Sequence, residues 1–82
     1  MGWHLRHIDK GILGNASKIL EEVEEFFDAE DQKLPILALW ELSDVLGAIH
    51  AYLRKFHPSI TLEDLIAHSK KNSEMFEKGF RE

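Results

Sequence analysis

The chain has 82 residues, and its 15 Asp and Glu against 10 Lys and Arg give a formal net charge of −5. A surface that binds nucleic acid or an anionic membrane needs clustered Lys and Arg, so this balance argues against both partners. The absence of cysteine excludes a disulfide framework, a thiolate metal site and thiol catalysis, and the length allows only one domain, residues 1–82.

The first segment, residues 3–9, is expected to form a short helix or an ordered arm. Gly11 and Gly14 then interrupt the chain, and Asn15 is a favourable N-cap for the helix that follows. That first long helix is expected to run from about residue 16 to about residue 30. Its apolar residues recur at i, i+4, i+7 and i+8, the spacing of an α-helix: Ile19, Leu20, Val23, Phe26 and Phe27.

A second long helix is expected from Pro35, which suits the first helical position, to about residue 56, where a His-Pro step stops it. One apolar stripe follows this helix: Leu39, Leu42, Leu46, Ile49, Leu53 and Phe56. A third long helix is expected after Thr61, whose spacing from Asp64 resembles a capping box, and Gly79 suits its end. Because the connections are short, neighbouring helices should be antiparallel, which predicts an all-α bundle of three main helices.

On a helical wheel, the acidic residues of the first long helix fall on both flanks of its apolar face. Glu22 and Glu25 share one flank with Lys18. Glu21 and Glu24 lie on the other flank. Periodicity alone therefore leaves open which of the two pairs has a function.

The acidic pair on the second long helix has a more informative setting. Glu41 and Asp44 share a flank with apolar and small residues: Leu37, Ala48 and Ala51. Two like charges three residues apart on a half-buried side repel each other and lose hydration, so a cation should compensate them. Mg²⁺ is the natural candidate, because it prefers oxygen ligands and completes its shell with water and substrate phosphates. The alternative explanation for both acidic segments is a solvated, Glu-rich helix surface.

The two acidic motifs, E-x-x-E and E-x-x-D separated by 15 residues, resemble those of the MazG-like, all-α nucleoside triphosphate pyrophosphohydrolases. The matching segments are residues 18–29 and 41–49, and their register selects Glu22 and Glu25 as the first acidic pair. The segment from Lys10 to Lys18 also looks like that of small phage and bacterial members, and residues 72–80 loosely resemble the family's terminal segment.

This resemblance implies hydrolysis of a nucleoside or deoxynucleoside triphosphate to the monophosphate and pyrophosphate, by water that Mg²⁺, or Mn²⁺ as a substitute, activates. It also implies an oligomer, either a homodimer or a homotetramer. The implied metal ligands, which are also the catalytic residues, are four carboxylates: Glu22, Glu25, Glu41 and Asp44. Five further residues are candidates for substrate binding: Lys18, Trp40, Lys71, Asn72 and Lys78.

Some of these residues have alternative explanations. Lys18 could instead form a surface pair with Glu22, one helical turn later. Trp40 lies opposite the apolar stripe of its helix, where it could stack on a base or pack into a subunit interface. His4 and His7 belong to no H-E-x-x-H motif and are expected to be ordinary surface histidines.

A non-catalytic helical dimerisation or binding module that retains the acidic motif is the alternative function. A di-iron carboxylate bundle is not favoured, because no Glu in the sequence has a His three residues later. No apolar stretch approaches the roughly 20 residues of a membrane span, and no targeting signal is visible, so a cytoplasmic location without a membrane partner is expected. A chain this short without disulfides is expected to gain stability from a metal ion or from self-association.

Overall fold

The polypeptide between residues 4 and 77 is described by a computed structural model, in which three α-helices follow a non-helical N-terminal arm. The helices are α1 (Ala16–Asp31), α2 (Pro35–Phe56) and α3 (Leu62–Glu77), and no strand occurs in this part of the chain. The prediction of an all-α fold with three main helices is therefore confirmed. Of the two structures expected for the N-terminal segment, residues 4–10 adopt the arm.

Local sequence signals explain where the helices begin. Gly14 has a φ of 92°, in the left-handed region that favours glycine, and Asn15 is extended at the N-cap position of α1. The Asn15 side chain makes no capping bond; its Oδ1 accepts a hydrogen bond from Lys55 instead. At the start of α3, Thr61 and Asp64 form a reciprocal capping box, with N-to-O distances of 2.9 and 3.1 Å.

Helix α1 packs along α2, and the two helices run in opposite directions. The hydrogen bond from Lys55 to Asn15 joins the end of α2 to the start of α1, and residues 32–34 connect the other two ends. The apolar side chains buried within the chain are mostly small, with 1–6% of each exposed: Ala29, Ala38, Ala48 and Leu53. Small side chains at the contact let two helices approach closely, so this helix pair has a thin core.

The apolar stripe predicted for α2 is not the face that packs against α1. Within the stripe Leu53 is buried, whereas Leu39 is 60% exposed and Leu46 is 50% exposed. Helix α2 turns the flank of Ala48 and Glu41 towards α1, because the small side chains on that flank permit the close approach. Large apolar side chains of α2 and α3 consequently stay uncovered: Ile36, Leu39, Trp40, Leu42, Leu46, Phe56, Leu65 and Ile66.

Helix α3 contacts α2 and, within the described residues, does not contact α1. An open cavity of about 570 Å³ lies between α2 and α3, lined mainly by apolar side chains: Leu46, Ile49, Leu62, Leu65, Ile66, Ser69 and Lys70. The radius of gyration is 15.1 Å, compared with about 12 Å for a compact domain of this length. Helices α1 and α2 thus form a packed pair from which α3 extends, and the predicted bundle is not closed within one chain.

Helix α2 is long and apolar enough to cross a membrane, judged by length and composition alone. This differs from the expectation that no stretch approaches that length. Only 17% of its most apolar 18-residue stretch is buried. Glu41 and Asp44 lie inside this stretch, and charged side chains near the centre of a bilayer are costly. The helix is therefore an apolar element that the described chain leaves largely uncovered.

Candidate metal centre

Three carboxylates from two helices meet between α1 and α2. One oxygen each of Glu22 on α1 and of Glu41 and Asp44 on α2 lie within 4.8 Å of one another. The i, i+3 spacing of the two α2 residues directs both side chains to one face, which packs opposite Glu22. Glu22 is buried, Glu41 half-buried and Asp44 exposed, so this carboxylate cluster opens to solvent on one side.

Two oxygens of the carboxylate cluster are buried without a hydrogen-bond partner in the described chain: Glu22 Oε1 and Glu41 Oε1. A buried polar atom without a partner costs on the order of 1–3 kcal/mol, and more when it is charged. A cation bound by these carboxylates would compensate their charge, so the carboxylate cluster could hold a metal ion.

Glu25, the fourth predicted ligand, lies beside the carboxylate cluster rather than within it. Burial, followed by the negative charges of Glu22 and Glu41, raises the pKa of Glu25 to about 7. Near neutral pH this carboxyl is therefore protonated in a substantial fraction of the molecules. The proton relieves part of the repulsion among the neighbouring carboxylates.

Glu41 shows the same electrostatic effect. Burial, followed by the negative charges of Asp44 and Glu22, raises the pKa of Glu41 above its ordinary value. An anionic site without a compensating cation shifts pKa values in this direction. A bound cation would lower them again, because it stabilises the ionised carboxylates.

The ligand atoms suit a hard divalent cation. All are carboxylate oxygens, which Mg²⁺ and Mn²⁺ prefer. Oxygens in an octahedral Mg²⁺ shell lie about 2.1 Å from the ion and hence at most about 4.2 Å apart. Oxygens that already lie within 4.8 Å of one another therefore need only small side-chain movements to share an ion. The exposed side, at Asp44, leaves ligand positions for water or phosphate oxygens.

Lys18 links the carboxylate cluster to a neighbouring acidic residue. Its Nζ lies 3.2 Å from Glu22 Oε2 and 3.1 Å from Glu21 Oε1. The hydrogen bond with Glu21 raises the pKa of Lys18, although burial opposes the shift. The i, i+4 pair with Glu22, which the sequence left as an alternative to phosphate binding, is therefore present. The pair occupies Glu22 Oε2, whereas Glu22 Oε1 has no hydrogen-bond partner in the described chain.

The structure distinguishes the two acidic pairs of α1 that periodicity could not. Glu21 is 3% exposed, and its Oε1 accepts a hydrogen bond of 2.8 Å from the Gly11 N–H, which lowers the pKa of Glu21. Glu24 is half-buried and belongs to no metal-ligating group found among the described residues. Glu22 is thus the α1 residue that joins the carboxylate cluster.

The other candidates for substrate binding within the described residues lie on α2 and α3. Trp40 is 70% exposed on α2. Lys71 is exposed and Asn72 half-buried on α3, the helix that does not contact α1. Lys78 lies outside the described residues.

Asp28 and His4 form a contact that sequence reasoning missed. Asp28 is 1% exposed, and its Oδ2 lies 3.1 Å from His4 Nδ1. His4 and His7 are both exposed, as expected; His4 in addition contacts the buried Asp28, whereas His7 pairs with the nearby Asp9. The sequence does place Asp28 on the same flank of α1 as Glu21, but helical periodicity cannot identify a partner that lies outside the helix.

Comparison with known proteins gives no identification. No family model matches the chain, and neither a search of curated proteins nor a search of solved structures found a match. The resemblance to the MazG-like enzymes therefore stays a prediction from the motif residues. A functional argument must rest on the geometry of the carboxylate cluster.

Proposed function

We propose that the protein is a Mg²⁺-dependent hydrolase that converts a nucleoside or deoxynucleoside triphosphate to the monophosphate and pyrophosphate. The observation that carries this proposal is the convergence of oxygens from Glu22, Glu41 and Asp44 within 4.8 Å. The buried oxygens without partners in this cluster support a cation ligand. The two acidic motifs support nucleotide chemistry through their resemblance to the MazG-like enzymes.

In the proposed reaction, water adds across the bond between the α- and β-phosphates, and pyrophosphate leaves. A divalent cation, when bound, neutralises phosphate charge and lowers the pKa of water. Glu22, Glu41 and Asp44 would hold the cation, and the exposed side at Asp44 would admit the triphosphate. No nucleophile from the protein is required.

Glu25 contributes to the proposed site by exchanging its proton for the cation. In the metal-free protein its carboxyl has a pKa of about 7, because it is buried beside Glu22 and Glu41. A bound cation would favour the ionised carboxylate of Glu25, which would then be the fourth acidic group of the site. Metal binding near neutral pH should therefore release protons.

The proposal is tested with a panel of canonical and modified nucleoside triphosphates, assayed for monophosphate and pyrophosphate with and without Mg²⁺. We expect pyrophosphate release that requires Mg²⁺ and that is lost in Glu41→Gln and Asp44→Asn. Glu30→Gln is the matched control, because Glu30 is an exposed carboxylate of α1. Release of no pyrophosphate from any substrate contradicts the function, and undiminished release by either site variant contradicts the site.

A non-catalytic dimerisation or binding module is the second candidate function. The uncovered apolar side chains of α2 and α3 favour it, among them Leu39, Leu46 and Ile66. Such a module predicts neither stabilisation by Mg²⁺ nor release of pyrophosphate, so the same assay separates the two functions.

We propose further that the protein assembles as a homodimer or homotetramer. Its accessible surface is 6526 Å². This is roughly 1500 Å² more than the approximately 5000 Å² of a compact monomer of the same mass. Each partner in a standard interface loses about 800 Å², so the excess is large enough to supply an oligomer contact. The uncovered apolar side chains of α2 and α3 favour that face as the contact.

Sedimentation equilibrium of the wild type and of Leu46→Lys tests the assembly. Leu46 is 50% exposed and lines the cavity between α2 and α3, so a lysine there should shift the protein towards the monomer. Ser59→Lys, at an exposed position between the same helices, is the control and should not dissociate the oligomer. A monomeric wild type contradicts the proposal, and co-sedimentation with lipid vesicles would assign the apolar face to a membrane instead.

A further inference from the structure

The beginning of the N-terminal arm is fastened to α1 by a buried carboxylate. Asp28 is 1% exposed and accepts hydrogen bonds of 2.8 Å from the Leu5 N–H and from Gln32 Nε2. His4 Nδ1 lies 3.1 Å from Asp28 Oδ2, and Arg6 Nε lies 3.9 Å from Oδ1. Burial alone would raise the pKa of Asp28, but these contacts lower it, so the carboxylate stays charged.

The end of the arm is fastened to the first turns of α1. Glu21 is 3% exposed and accepts a 2.8 Å hydrogen bond from the Gly11 N–H, while Ser17 Oγ accepts one of 3.0 Å from the Ile12 N–H. A Cβ at Gly11 would lie 2.3 Å from the Ser17 carbonyl oxygen, so only glycine fits this contact. Because Ser17 and Asp28 are about 16 Å apart along the helix, the arm is attached over most of α1.

The two acidic anchors lie on a different side of α1 from the candidate cation ligand. Glu21 and Asp28 are seven residues apart, which places them within about 20° of each other around the helix axis. Glu22 points about 100–120° away from them, towards α2. The arm and α2 therefore hold α1 from two sides, and together they restrict its rotation.

Small rotations of α1 would matter to a cation site. An oxygen about 6 Å from the helix axis moves about 2 Å when the helix turns by about 20°. Functional groups must be held within about 0.5 Å of their productive geometry. Lys18 connects the two sides directly, since its Nζ lies 3.1 Å from the arm-bound Glu21 and 3.2 Å from Glu22 of the carboxylate cluster.

We propose that residues 4–12 form a strap that sets the rotation of α1, and that Asp28 is a positioning residue for the cation site. The strap hydrogen-bonds to Asp28 and Glu21, and by fixing them it keeps Glu22 opposite the two α2 carboxylates. This inference rests on the proposed function, because it assumes that the carboxylate cluster binds a divalent cation.

The test compares Mn²⁺ affinity and thermal stability in the full-length wild type and three variants. Asp28→Asn removes the charge at the anchor. Leu5→Pro removes the N–H donor from the arm and leaves every side chain of α1 unchanged. Glu30→Gln is the matched control, because it removes a negative charge from an exposed position of the same helix. Free Mn²⁺ is measured by its paramagnetic resonance signal.

We expect Asp28→Asn and Leu5→Pro to raise the Kd for Mn²⁺ about 10-fold, the size typical of groups that orient metal ligands. Glu30→Gln should change it by less than about twofold, because surface charges contribute little. If Asp28→Asn does not fold, the Kd of Leu5→Pro for Mn²⁺ tests the positioning role.

Unchanged Mn²⁺ affinity together with a lower melting temperature would overturn the positioning role, because a purely structural strap has that effect. If the wild type binds no Mn²⁺, both the proposed function and the cation site that the strap is inferred to position are refuted. The wild-type titration therefore separates the two failures.

Discussion

Helix α1 carries two sets of carboxylates that differ in their neighbours more than in their burial. On the side of the arm, Glu21 and Asp28 accept backbone hydrogen bonds and have lowered pKa values. On the side of α2, Glu25 has a pKa of about 7, and Glu22 has a buried oxygen without a partner. The arm holds the first set, whereas in the second Lys18 pairs with Glu22 Oε2 and the remaining carboxylates could bind a divalent cation.

The largest expected effect is on activity, and it comes from neutralising the two α2 carboxylates, Glu41 and Asp44. Glu41→Gln and Asp44→Asn should each lower Mg²⁺-dependent pyrophosphate release by at least about 100-fold, because loss of a direct ligand exceeds the 10- to 100-fold effect of outer groups. Circular dichroism should show unchanged helix content. Turnover close to that of the wild type in either variant would show that the cluster is not the catalytic centre.

Melting temperatures should move in opposite directions for the two sets. Asp28→Asn should lower the melting temperature of the metal-free protein by roughly 5–10 °C, because it weakens several hydrogen bonds to a charged group. Glu41→Gln and Asp44→Asn should raise it by a few degrees, because they relieve repulsion among unpaired carboxylates. A lower melting temperature for the latter two variants would indicate solvated or paired groups instead.

The two sets also predict opposite pH dependences of stability. The folded-state pKa of Glu25, about 7, exceeds its ordinary value of 4.5, so the native protein binds more protons than the unfolded chain and its stability falls as pH rises from about 4.5 to about 7. Glu21 and Asp28 have lowered pKa values, so the stability they contribute is present above their ordinary pKa values and lost at lower pH. Urea denaturation at a series of pH values measures both effects. Glu25→Gln should reduce the fall in stability between about pH 4.5 and about pH 7. A metal-free protein whose stability rises between pH 5 and pH 7 would contradict this account.

The smallest expected effect is proton release on metal binding. Because the pKa of Glu25 is about 7, roughly half a proton should leave this group when Mg²⁺ binds at pH 7. Calorimetric titrations in two buffers of different ionisation enthalpy measure this release. Equal apparent enthalpies in the two buffers would show that Glu25 is not coupled to the cation.

Local signals in the sequence were sufficient to predict the helices. Pro35 occupies the start of α2, and Thr61 and Asp64 form the predicted capping box, because these preferences act within a few residues. The two E-x-x-[ED] spacings likewise predicted that Glu41 and Asp44 share one face. These features depend only on helix geometry.

Features that depend on distant contacts could not be predicted in this way. A helical wheel cannot distinguish apolar residues that pack within the chain from those left for a partner, so it did not foresee that Leu39 and Leu46 stay exposed. Nor can it reveal that the Gly11 N–H occupies Glu21 while Glu22 stays available. Periodicity therefore did not separate the acidic pairs; the motif register favoured Glu22 and Glu25, and the tertiary structure brings Glu22 into the carboxylate cluster.

The most direct test of the central claim is a crystal structure of the protein grown with Mn²⁺, analysed by anomalous scattering. We predict an anomalous peak between α1 and α2, about 2.2 Å from oxygens of Glu22, Glu41 and Asp44. If the carboxylate cluster is well ordered but shows no peak in crystals grown at a Mn²⁺ concentration well above the Kd measured in solution, these residues are not a metal centre.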